Sequence, residues 1–119
     1  MRHRIEITLS DVFGAPPAWA PTPKVAFEDR DPVAATREAT GLYGIEVPVG
    51  TSRFTITAPA VNEQSWPVEQ AFTFAAGDPP RISHDGALGP YVYPPVFRSD
   101  GAAWVIGIQL RLSRLRECR

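Results

Sequence analysis

The sequence predicts an all-β fold: a single antiparallel β-sandwich domain of seven to eight strands spanning residues 1–119. Three observations lead there. Thirteen of the 119 residues are proline, twice the usual ~5%. An interior proline costs a helix ~3 kcal/mol, so long helices are excluded. Apolar residues recur with a period of two in several segments. Turn residues separate those segments by roughly 8–12 positions, the spacing of a sandwich. A hydrophobic content of 44% suits one packed core and argues against disorder.

Each element follows from its own pattern. Ile5, Ile7 and Leu9 alternate with Arg4, Glu6 and Thr8, which reads as a half-buried strand. Asp11–Pro17 break it with turn chemistry, and residues 15–23, with four prolines and Trp19, read as an extended loop. Val25 and Phe27 restart the alternation until the charged run Glu28-Asp29-Arg30-Asp31-Pro32 ends it. Residues 33–40 are ambiguous between a helical turn, a short strand and irregular loop. Leu42–Val49 read as a strand, Pro48-Val49-Gly50-Thr51 as a turn, and Arg53–Ala58 as the return strand of a hairpin. After the loop 59–67, which carries Trp66, Val68, Phe72 and Phe74 mark another strand. Gly77-Asp78-Pro79-Pro80 is a turn, and Arg81–His84 suit a short strand. Residues 86–95 read as irregular. The clearest element is the last: Trp104, Ile106, Ile108, Leu110 and Leu112 face one way, and the residues between them face the other. That long strand is the expected edge for pairing with a partner strand.

Charge and cysteine narrow the function. Twelve basic and 13 acidic residues give a net charge of −1, which points away from nucleic acid and membrane surfaces as partners. Arg2, Arg4, Arg111, Arg114, Arg116 and Arg119 gather at the two ends. They read as charges guarding edge strands, with a basic edge for an acidic partner as the alternative. Cys118 is the single cysteine, so neither an intramolecular disulfide nor a cysteine-based zinc site is available. No cofactor is expected, because no phosphate cradle, nucleotide fingerprint or metal-binding histidine pair occurs. Residues 5–10 alternate where a signal peptide would carry an apolar run. The longest apolar stretch, 102–108, falls far short of the ~20 residues of a membrane span. The expectation is a cytoplasmic protein, or one delivered without a signal peptide.

One stretch carries a resemblance. Gly41-Leu42-Tyr43-Gly44-Ile45-Glu46-Val47-Pro48-Val49-Gly50-Thr51, running into Phe54-Thr55-Ile56-Thr57-Ala58, resembles the core of carboxypeptidase-regulatory-like domains. These are transthyretin-like (prealbumin-like) β-sandwiches, related to bacterial Cna-B-type repeats. Ile7–Pro16 is similar to the family's opening strand and its Asp-x-x-Gly-x-Pro turn, and Val25–Phe27 stands where its second strand belongs. Arg37-Glu38 replace the family's Thr-Asp, and residues 84–119 extend beyond the match. The resemblance implies a transthyretin-like fold. It also implies a non-catalytic interaction module, a structural or adaptor subunit of a larger assembly of secretion or phage-tail type. The class includes a hydrolase of 5-hydroxyisourate with a C-terminal Tyr-Arg-Gly-Ser motif, but here the tail reads Leu112-Ser113-Arg114-Leu115.

Candidate site residues lie in the loops. Trp19, Trp66, Tyr91 and Tyr93 are suited to contact a protein partner, a second copy of the chain or a glycan, because aromatic rings give large contact area at little entropic cost. The same rings can instead fold back as lids on the core. The glycan reading makes the chain a carbohydrate-binding module. His84, beside Asp85, is the best pair for proton chemistry and supports a third reading, a small hydrolase. Asp85-Gly86 is equally a plain turn. Glu28, Asp29 and Asp31 offer oxygens to Ca²⁺ but lack the spacing of a calcium loop, so they read as a solvated turn.

Overall fold

The computed structural model describes residues 2–10, 22–28, 30–58, 68–84 and 92–111. The described residues form ten strands: β1 (Arg2–Ser10), β2 (Lys24–Phe27), β3 (Val33–Ala34), β4 (Thr36–Ala39), β5 (Leu42–Glu46), β6 (Arg53–Ala58), β7 (Val68–Ala75), β8 (Arg81–His84), β9 (Val96–Asp100) and β10 (Ala103–Arg111). Two five-stranded sheets face each other. One has the order β4-β5-β1-β10-β9 and the other β3-β2-β6-β7-β8. The protein is an all-β sandwich.

The period-two pattern places the core. Ile5, Ile7 and Leu9 on β1 meet Ile106, Ile108 and Leu110 on β10 from one sheet. Val25, Phe27, Phe54, Ile56, Ala58, Phe72 and Phe74 meet them from the other. Phe54 lies at its centre, 5.4 Å from the Phe72 ring and 6.2 Å from those of Phe27 and Phe74, in tilted arrangements that aromatic quadrupoles favour.

Five expectations need correction. Ten strands replace seven to eight, because the ambiguous residues 33–40 form two short strands and Val96–Asp100 form another. The sandwich is not purely antiparallel, since β1 and β10 run parallel from Arg2↔Ala103 to Ser10↔Arg111. β10 is no free edge: it lies between β1 and β9, so both sides of its backbone are engaged. By the same order, Arg2, Arg4 and Arg111 sit on central strands and guard no edge. Finally, β5 and β6 are not a hairpin. β5 pairs with β1 and β4, and β6 pairs with β2 and β7. The turn 47–52 therefore carries the chain from one sheet to the other. Alternation showed that each strand had a core face, but it did not show which sheet held it.

The two flanks of the sandwich differ. On one flank the chain passes from β3 to β4 through Ala35, which is buried and donates its N–H to the Pro23 carbonyl at 3.0 Å. That crossover joins the two sheets. On the other flank β8 and β9 are, among the described residues, the edge strands of opposite sheets. Between them opens a cleft of about 480 Å³, lined by Phe74, Pro80, Ile82 and Phe97 among others.

Candidate functional site

Of the five residues singled out in the sequence, Trp19, Trp66 and Tyr91 lie outside the described residues. His84 is half-buried at the end of β8, opposite Phe72. Its sequence neighbour Asp85 also lies outside the described residues. Tyr93 is described, and it is 42% exposed.

A bulge positions Tyr93. Val92 bridges Leu110, and the Tyr93 N–H donates to the Gln109 carbonyl at 3.0 Å. The regular ladder resumes at Val96↔Gly107. Pro94 and Pro95 therefore stand against the single residue Ile108. Two residues opposite one is a β-bulge, a place where proline's missing N–H costs no ladder bond. Val92 stays in the core while Tyr93 comes out on the outer face of the sheet.

That placement creates a small cleft of about 250 Å³. Its floor is Gly107, with Thr8 and Gln109 beside it and Tyr93, Pro94 and Val96 around it. Thr8 and Gln109 are register partners on the outer face. Gln109 Nε2 donates to Ser10 Oγ at 3.3 Å. Among the described residues, the Gln109 Oε1, the Thr8 hydroxyl and the Tyr93 hydroxyl have no hydrogen-bond partner. None of the described lining residues carries a charge.

Charges gather instead on the rest of that outer face, in pairs. Arg4 pairs with Glu38 and lies 3.9 Å from Glu46. Arg2 contacts Glu46 at 2.6 Å. Arg98 reaches Glu6 at 2.8 Å and Asp100 at 4.0 Å. The carboxylates Glu46 and Glu6 hold Arg2 and Arg98 still more firmly in their charged forms, chiefly through the hydrogen bonds. Gly44 makes room for one of these pairs: a Cβ there would overlap the Arg4 guanidinium and the Glu38 carboxylate. Val105 is buried on this face, with Arg4 and Arg98 as its ladder neighbours. Their aliphatic stems flank it while their charged ends stay wet.

A third feature, unforeseen from sequence, closes one end of the core. His3 is only 8% exposed and meets Phe74 edge to face at 5.6 Å. Its Nε2 lies 2.9 Å from the Gly77 carbonyl. The Gly77 nitrogen lies 3.3 Å from the same Nε2, so the ring nitrogen faces both backbone polar groups of Gly77. Next to His3 is a cavity of about 390 Å³, bordered by Arg2, Glu46, Pro48, Thr51 and Phe74. The place of His3 at position i−2 from Ile5 was the available signal: it continues the inward-facing set of β1.

No family model matches this chain, and searches of curated proteins and of solved structures likewise found no match. Among the described residues, no group of three or more His, Cys, Asp or Glu could hold a metal ion. None of the helices among them, of which there are none, is long and apolar enough to cross a membrane.

Proposed function

We propose that the protein is a non-catalytic interaction module, a structural or adaptor subunit that docks onto another protein or a second copy of itself through the β8–β9 flank. The observation that carries this reading is the contrast between the flanks. The β3–β4 crossover joins one side, whereas the other presents two edge strands with an apolar cleft between them. An edge strand offers unpaired backbone groups, and an extended segment can add to it with pockets for alternate side chains. Pro94 and Pro95 confine the free edge of this sheet to the five residues Val96–Asp100, where Val96 is 68% exposed.

The transthyretin-like assignment belongs to the same proposal. It is supported by the strand order. The opening strand lies at the centre of one sheet, parallel to β10, while the second strand and the Thr-rich strand β6 pair in the other sheet. The Gly41-Leu42-Tyr43 segment opens β5, with Gly41 at a φ of 74°.

A photo-crosslinking residue placed at Ser99 tests the docking flank, with the same residue at Arg37 on β4 as control. Adducts to a host protein or to a second copy should form from position 99 and not from position 37. Equal labelling at both positions, or a strict monomer with no adduct, would sink the proposal.

A further inference from the structure

The structure assigns a second binding site, beside the docking flank and sharing Val96 with it: the cleft beneath Tyr93 takes one uncharged sugar ring. Four observations converge on that ligand. The Tyr93 ring is 42% exposed on a backbone held by its bond to Gln109. An aromatic face is electron-rich, and the C–H groups on one side of a pyranose ring suit it. The cleft is lined by three neutral polar groups without partners among the described residues: the Tyr93 hydroxyl, the Thr8 hydroxyl and Gln109 Oε1. Sugar hydroxyls both donate and accept, so they can satisfy all three.

Size and charge set the class. The cleft of about 250 Å³ is smaller than the ~300–1,000 Å³ of sites for drug-sized ligands, which suits a single terminal unit. Its uncharged lining offers no counter-ion to sialic acid or sulfate. A peptide strand fits less well, because the β1 and β10 backbones beneath are already paired on both sides. Gly107 is what keeps the floor open. A Cβ there would sit at 3.4 Å from the Val96 carbonyl and project into the cleft.

The test is an array of neutral-hexose-terminated glycans alongside sialylated and sulfated ones, followed by titration of the best neutral binder. Neutral termini should be retained and anionic ones not. Tyr93→Ala should weaken binding at least tenfold, and Tyr93→Phe, which keeps the ring, by only a few-fold. Gly107→Val should abolish retention by filling the floor. Thermal melts of each variant separate lost binding from lost folding, and the exposed Tyr93 should leave the melt unchanged. An array without neutral binders, or a Tyr93→Ala protein that is folded and binds as before, overturns the assignment.

Discussion

Gly41 holds a φ of 74° in the two-residue loop between β4 and β5, and its carbonyl accepts the Leu9 N–H at 2.8 Å. A side chain in that left-handed region costs about 1–2 kcal/mol. Gly41→Ala should lower stability by that amount in denaturant melts. Glu28 offers a second residue-scale prediction. It accepts hydrogen bonds from the Ser52 hydroxyl and, at 2.9 Å, from the Ser52 N–H. Those bonds, the hydroxyl's first, hold its carboxyl below the ordinary value of 4.5. A depressed carboxylate stabilises the folded state above its unfolded pKa, and that contribution fades as pH falls through the lower folded value. The gap in melting temperature between the natural protein and Glu28→Gln should therefore be widest at neutral pH and close below about pH 4. The pair over Gly44 gives a third. Gly44→Ala displaces Arg4 from Glu38, so Gly44→Ala and Glu38→Gln remove the same contact. Each should cost no more than about 1 kcal/mol, and a double-mutant cycle should show them to be less than additive.

Elements differ in how plainly the sequence announced them. β1 and β10 were legible because each buries one whole face, so a strict alternation survives over nine residues. β3 and β4 were not, because all six of their residues are exposed and no face is written into them. The bulge at Pro94–Pro95 was equally hidden. Two prolines announce irregular backbone, but the ladder resuming beyond them depends on β10 as a partner. Of the candidate site, the aromatic choice of Tyr93 was readable. Its neighbours Thr8 and Gln109, on opposite sides of it in the chain and about a hundred positions from each other, were not, because strand pairing alone brings them together. The centre and the edge of this sheet give an element-scale prediction. Ile106 is fully buried in the core between the sheets, so Ile106→Ala should cost about 2–5 kcal/mol in denaturant melts. Val96→Ala, on the exposed edge of the same sheet, should stay within about 0.5 kcal/mol.

At the scale of the molecule, the core is built by two sheets whose centres are β1–β10 and β2–β6–β7. Central strands with both edges paired open only when the whole sandwich opens. Hydrogen exchange should accordingly be slowest at the amides of Ile5–Leu9 and Ile106–Leu110, and fastest in β3, β4 and β8. Exchange in β10 as fast as in β8 would contradict the strand order.

The parallel pairing of β1 with β10 also dictates timing. Arg2 finds Ala103 only after a hundred residues of chain have been made. As the chain emerges from a ribosome, β1 can gather β5 and β4, but its other edge stays bare until residue 111 is out. Contacts of such sequence separation close slowly, in the millisecond-to-second range typical of β-sandwiches. The waiting species carries Ile5, Ile7 and Leu9 on a strand with an open side, the kind of intermediate that aggregates. Refolding yield should thus fall with protein concentration, and a synthetic peptide of residues 103–111 added in excess should restore it by occupying the vacant edge.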